Sequence, residues 1–187
     1  MKKVLIPIAH GTEEMEATIL IDTLRRAGAE VTVASVQGLQ ITASRGLNIT
    51  ADELIENCKD EIYDVIALPG GLPGADYLRD SAVLKELLIQ QKANGRIYGA
   101  VCASPTVVLQ AHGLLEDKTA TAYPGFDNKL TNTATPRVPV VVDGNCVTSQ
   151  AAGTTFAFAL TLAELLFGFE KAKEIADSML VPYESVL

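Results

Sequence analysis

Short continuous apolar runs alternate along the chain with longer segments whose apolar positions recur at helical spacing, the pattern of a parallel sheet with crossover helices. Val4 to Ala9 (VLIPIA) reads as the first buried strand. Glu14 to Ala27 reads as its helix, with Met15, Ile19, Leu20, Leu24 and Ala27 on the apolar side and Gly28 as the stop. Glu30 to Val36 is the second strand. Tyr63 to Leu68 is another apolar run, ended by Pro69-Gly70-Gly71; Ser81 to Asn94 follows as a helix with Ser81 as N-cap, and Arg96 to Val101 returns as a strand.

Outside these units, Leu39 to Ile49 holds two short alternating pieces around Ser44-Arg45-Gly46 and predicts a small hairpin or edge addition. After residue 112, Thr119 to Tyr123, Val138 to Val142 and Cys146 to Thr148 read as three short strands, with Asp143-Gly144 turning between the last two. Helices over Gly153 to Phe167 and Lys171 to Met179 complete the order. With no internal repeat or linker, the 187 residues predict a single α/β domain over 1–187: a flavodoxin-like, doubly wound three-layer sandwich with a mostly parallel central sheet.

Composition narrows the partners. Lys and Arg number 15 against 23 Asp and Glu, a net charge of −8, which repels phosphate backbones and argues against nucleic acid. The longest apolar stretch, Phe156 to Phe169, is interrupted by Thr161, Glu164 and Gly168 and is shorter than the roughly 20 residues of a spanning helix, so no membrane partner is expected. Cys58, Cys102 and Cys146 are odd in number and widely spaced, which points to a reducing, cytoplasmic setting. No metal-ligand spacing, dinucleotide fingerprint or phosphate loop is present, so neither metal nor cofactor is expected.

The chemistry concentrates where strands end, in the segments HGTEEME, PGGLPG and CASPT. Cys102 follows a strand directly, has small neighbours in Ala100 and Ser104, and precedes an N-cap candidate (Ser104) and a Pro at the first helical position (Pro105). That order predicts a nucleophile elbow whose free N–H groups and helix dipole depress the thiol pKa. Cys58 is expected to be an exposed helix-end residue and Cys146 a core one. Of the imidazoles, His112 is a helix away and structural, whereas His10, on the loop after the first strand, is a candidate partner for the thiol. Glu13, Glu14 and Glu16 open the first helix, where negative charge is favourable; Glu16 projects differently from the other two, beside Met15 and Ala17, and is the one expected to face inward with a raised pKa. Pro69-Gly70-Gly71 has the freedom to present a backbone N–H to an oxyanion.

Those pieces, together with GTEEMEA (11–17), RRAG (25–28), VTVAS (31–35), SRG (44–46), YDVIALPGG (63–71), GAVCASPTVVL (99–109) and VTSQAAGTTFAFAL (147–160), resemble the ThiJ/PfpI superfamily, within it the Parkinson disease protein deglycase branch, over nearly the whole chain. The resemblance implies a flavodoxin-like homodimer, Cys102 as nucleophile, Glu16 as its hydrogen-bonding acid, and oxyanion-type N–H groups at Gly71 and Ala103. It implies a glutathione-independent glyoxalase or deglycase activity on a small reactive aldehyde, methylglyoxal or its adducts, in carbonyl and oxidative stress protection. The alternative is a non-enzymatic redox sensor or chaperone in which Cys102 oxidation is the signal. The chain departs from the family pattern at Ala103, where a protease-like branch has His, at Tyr123, where some members have His, and at Gln150-Ala151-Ala152, which replaces Arg-Gly-Pro. Tyr123 is therefore expected to shape the pocket or donate a hydrogen bond. A homodimer is also expected because the first helix is apolar on more than one side.

Overall fold

The computed structural model describes residues 1–135 and 138–187. In chain order the elements are β1 (Lys3–Ile8), α1 (Glu14–Arg26), β2 (Glu30–Ser35), β3 (Gln40–Thr42), β4 (Asn48–Thr50), β5 (Glu53–Leu54), β6 (Val65–Leu68), α2 (Gly74–Asp80), α3 (Ala82–Ala93), β7 (Ile97–Val101), β8 (Val140–Asp143), β9 (Cys146–Ser149), α4 (Thr155–Phe167) and α5 (Phe169–Ser178). Seven strands form one sheet in the order β5-β2-β1-β6-β7-β9-β8, all parallel except β8, which pairs antiparallel with β9. The order reverses direction between β1 and β6, so the loops leaving their carboxyl ends diverge and open a crevice.

The continuous apolar runs are explained by burial on both faces. Val4, Ile6 and Ile8 of β1 point to the layer made by α1, α4 and α5, while Leu5 points to the opposite layer, with Leu78 of α2 and Leu84 and Leu88 of α3. β6 splits the same way, Val65 and Ala67 to the first layer and Ile66 and Leu68 to the second. Ser81 caps α3 as expected, its side chain accepting from the Leu84 N–H, a bond worth about 1 kcal/mol. The Ser44-Arg45-Gly46 turn does join a two-stranded antiparallel hairpin, β3 with β4. That hairpin is docked on the β1–α1 loop by Gly11 N–H to the Thr42 carbonyl (2.9 Å) and Ser44 N–H to the Thr12 carbonyl (2.8 Å).

Two expectations are corrected. Thr119 to Tyr123 does not form a strand: it makes one isolated bridge, Ala120 to Thr133, because its donors go elsewhere, Thr121 N–H to Thr148 Oγ1 and Tyr123 N–H to the Cys102 carbonyl. Cys58 is not exposed. It closes a 3₁₀ turn over Ile55–Cys58 with only 2% of its surface accessible, packed in the same apolar cluster as Tyr63. A further helix, α2, occupies Gly74–Asp80, a stretch to which the sequence pattern assigns no element.

Candidate active site

β7 delivers Cys102 to the carboxyl edge of the sheet in a left-handed conformation, φ 66°. For a residue with a Cβ this conformation costs about 1–3 kcal/mol and persists only where the surroundings hold it. They do so from both sides: the Cys102 N–H donates to the Ser149 carbonyl (3.2 Å) and its carbonyl accepts from the Tyr123 N–H (2.8 Å). Pro105 then opens a π-helical turn over Pro105–Leu109. Ser104 occupies the cap position but makes no capping bond; its Oγ donates to the Pro69 carbonyl (2.6 Å), tying the elbow to the loop after β6.

Glu16 reaches the thiol from α1. Glu13 caps that helix by accepting from the Glu16 N–H (2.8 Å), and Glu14 accepts from Ser44 Oγ and the Arg45 N–H, so the first two carboxylates are committed at the surface. Glu16, two positions further on, turns inward and is 1% exposed. Its Oε2 accepts from the Gly70 N–H (2.7 Å), and its carboxyl is the hydrogen-bond partner of Cys102. A Cβ on Gly70 would lie 2.6 Å from the Cys102 Cβ and 2.9 Å from Glu16 Oε2, so only glycine lets the three groups meet. Gly71 follows with φ +91°, and its N–H and that of Ala103 both face the sulfur.

Burial pushes the Glu16 carboxyl up to about 7 against the pull of the Gly70 N–H and the thiol. Burial first, then the negative charge of Glu16, pushes Cys102 up to about 12, against the lowering pull of the Ala103 and Gly71 amides. This reverses the sequence expectation of a depressed thiol pKa: the corner's N–H groups are present, but desolvation and an ionised neighbour outweigh them. The carboxyl therefore loses its proton first, and above neutrality the pair keeps a single proton between carboxyl and sulfur. When Glu16 takes that proton its charge vanishes and its O–H turns donor, so the opposition Glu16 offers to the thiolate is removed.

Cys102 is half-buried at the floor of a cavity of about 460 Å³ that also touches Glu16, Gly71, Ala103 and Tyr123. Gly70 sits behind that floor, holding Glu16. His10 is not brought there: its Nδ1 accepts from the Thr42 N–H (3.0 Å) and its backbone N–H donates to Gln37, which fixes the hairpin. His112 accepts or donates at the Arg79 carbonyl (3.0 Å). The Tyr123 ring is 45% exposed and stands edge-on to Phe126, centroids 6.5 Å apart. Gln150 donates to Thr121 Oγ1 (3.2 Å). Sequence reasoning did not place Arg45, Leu72 or Phe126 at the cavity; the hairpin's docking bonds carry Arg45 there, and nothing in its local sequence announces them. No group of three or more metal-ligating side chains occurs among the described residues.

A doubly wound sheet whose carboxyl edge presents a strained thiol backed by a buried acid defines a class of α/β proteins built around a cysteine elbow. The chain belongs to the DJ-1/PfpI family, whose model matches residues 2–165. It is 40% identical to Protein dj-1beta of Drosophila melanogaster, over 97% of this chain and 98% of that one. Protein DJ-1 homolog A of Arabidopsis thaliana is 46% identical across 96% of this chain, which spans only 47% of that longer relative. The glutathione-independent glyoxalase DJR-1.2 of Caenorhabditis elegans is 34% identical over 92% of this chain and 91% of that one. Among solved structures, oxidised DJ-1 of Toxoplasma gondii superposes with a TM-score of 0.95 at 47% identity, covering 98% of this chain and 100% of that one.

Proposed function

We propose that the protein converts methylglyoxal, or the adducts it forms, to lactate without glutathione, with Cys102 as nucleophile and Glu16 as the single acid and base. The observation that carries this reading is a thiol held against a buried carboxyl at the floor of one cavity. Similarity to a glutathione-independent glyoxalase supports it.

The reaction needs no outside oxidant. The Cys102 thiolate adds to the aldehyde carbon, a C–S bond forms, the carbonyl electron pair moves to oxygen, and that oxygen takes the proton held by Glu16. Glu16, now ionised, removes the hydrogen on that carbon as a proton, leaving an enediolate. Glu16 returns this proton to the neighbouring carbon while the hydroxyl proton passes to the neighbouring oxygen, which reduces the former ketone to an alcohol and oxidises the former aldehyde to a thioester. Water attacks the thioester, breaks the C–S bond and releases lactate, returning the sulfur and the proton to the resting pair. Gly71 and Ala103 N–H groups stabilise the oxyanions of the addition and hydrolysis steps.

Incubating purified protein with methylglyoxal in the absence of glutathione and assaying lactate tests this directly. Cys102→Ser is expected to lose at least about a thousandfold in rate, the scale of removing a covalent nucleophile. Lactate formed equally by Cys102→Ser overturns the reading. A second reading, oxidation of Cys102 as a signal, is favoured by one observation, that a closely similar structure is of an oxidised protein. A homodimer is part of the proposal as well: Met15 on α1 is 57% exposed although it neighbours the buried Glu16 and Ala17, an apolar side chain without cover. Light scattering at micromolar concentration should give twice the 19.9 kDa of the chain, and a stable monomer removes the dimer.

A further inference from the structure

Arg45 lies in the turn of the β3–β4 hairpin, and among the described residues lining the Cys102 cavity it is the only cation. Its backbone holds it there: the Arg45 N–H donates to both carboxylate oxygens of Glu14, at 2.8 and 3.1 Å. Its guanidinium makes no hydrogen bond or ion pair with any described residue. The rim carboxylates that would ordinarily neutralise such a group are already engaged. Glu14 accepts from Ser44 Oγ (2.8 Å) as well as from Arg45 N–H, and Glu13 accepts from the Glu16 N–H (2.8 Å). The rest of the cavity wall is largely apolar, including Leu72, Phe126, Ala151 and Ala152.

The cavity volume of about 460 Å³ falls within the range of roughly 300–1,000 Å³ that holds drug-sized ligands. An aldehyde as small as methylglyoxal leaves most of it unused. A longer substrate with its aldehyde at Cys102 would lay an aliphatic middle on the apolar wall and bring its far end within the field of one unpaired guanidinium. A single planar fork suits a carboxylate; a phosphate dianion calls for further cations, and among the described residues lining this wall Arg45 is the only one.

We propose that Arg45 makes the site selective for α-oxoaldehydes that carry a carboxylate at the end remote from the aldehyde. The proposal rests on the reaction proposed above for Cys102 and Glu16. By the same bond changes, 4,5-dioxopentanoate gains water, its aldehyde carbon is oxidised and its ketone carbon reduced, and it leaves as 2-hydroxyglutarate.

The test has two arms. In the first, kcat/KM is measured for 4,5-dioxopentanoate and for its methyl ester. The wild type should favour the acid about tenfold, the scale of a charge-assisted hydrogen bond. Arg45→Gln should bring the ratio to one, while Arg45→Lys keeps a preference for the acid. The second arm needs no turnover: Cys102 is alkylated with iodoacetate and with iodoacetamide, which differ in charge at nearly equal size. Arg45→Gln should lower the iodoacetate-to-iodoacetamide rate ratio about fivefold at low salt, and the difference between the proteins should shrink at high salt. If the wild type turns over neither dicarbonyl but the alkylation ratio falls in Arg45→Gln, the reaction fails and anion recognition by Arg45 stands. If Arg45→Gln leaves both ratios as in the wild type, the proposal is overturned whatever the turnover shows.

Discussion

β7 and β9 run side by side, and each end of this strand pair carries a thiol pushed up to about 12. At the amino end Cys146 pairs in register with Tyr98, 1% exposed. At the carboxyl end Cys102 sits beyond Val101 on the elbow. The values coincide but the causes differ. Both are raised first by burial, yet around Cys146 a Tyr98 hydrogen bond and the charges of Lys118 and Lys92 pull the other way, with the Asp143 charge a smaller addition to burial. Around Cys102 the remaining opposition comes from Glu16, whose own carboxyl titrates near 7. A proton taken up by Glu16 lifts that opposition at the second site, where the carboxyl is the main opponent after burial; at the first, Asp143 adds less than burial and less than the Tyr98 bond removes. A raised thiol pKa therefore accompanies a cysteine shut into the core in one place and a cysteine facing a titrating carboxyl at a cavity in the other.

Substituting the carboxyl tests this most strongly. Glu16→Gln keeps a hydrogen-bonding group of the same shape, removes the charge opposing the thiolate and removes the transferable proton. Methylglyoxal turnover should fall by at least about a hundredfold, the lower range for losing a general acid–base. Cys102 alkylation by iodoacetamide should move the opposite way: its pH profile shifts to lower pH, because the charge and hydrogen bond of an ionised Glu16 no longer raise the thiol. The same substitution has no route to Cys146, which provides the internal control. A fall in both turnover and alkylation would mean that Glu16 supports the fold of the elbow rather than its proton.

Peroxide gives a smaller contrast. Cys58 and Cys146 are 2% and 1% exposed, and Cys102 lines the cavity. Since access and thiolate fraction govern oxidation, brief peroxide treatment followed by peptide mass mapping should find Cys102 oxidised at least about tenfold faster than either. Oxygen appearing first on Cys58 or Cys146 would erase the distinction between the two ends of the strand pair.

The contrast was partly legible before any coordinates. The apolar runs of β1, β6 and β7 mark buried parallel strands, and small residues followed by Ser-Pro mark the corner after β7. Glu16 could be separated from Glu13 and Glu14 because helical spacing alone turns it toward Met15 and Ala17. What local sequence does not carry is pairing across the chain. The thiol pKa depends on desolvation by layers far apart in sequence and on a carboxyl 86 positions earlier, by the numbering of Glu16 and Cys102. Cys58 looks exposed in the polar string ENCKD, yet the 3₁₀ turn carries it under α3 and beside Tyr63. The segment Thr119 to Tyr123 alternates like a strand, but its donors are drawn to a side chain of β9 and to the elbow carbonyl.

The smallest expected effect belongs to Tyr123, which touches the same elbow through a different group. Its backbone N–H donates to the Cys102 carbonyl and helps hold the left-handed φ, whereas its ring is 45% exposed, leans edge-on against Phe126 and lines the cavity. The phenol oxygen makes no hydrogen bond to a described residue. Tyr123→Phe leaves the backbone bond and the ring in place and removes only that oxygen. Methylglyoxal turnover should stay within about threefold of wild type, the kinetic equivalent of the roughly 0.5 kcal/mol typical of surface substitutions. Tyr123→Pro, which deletes the N–H, should instead loosen the elbow and slow Cys102 alkylation together with turnover. If Tyr123→Phe abolishes turnover while Glu16→Gln leaves it intact, the proton travels through the phenol, and the difference between the two ends of the strand pair does not lie in Glu16.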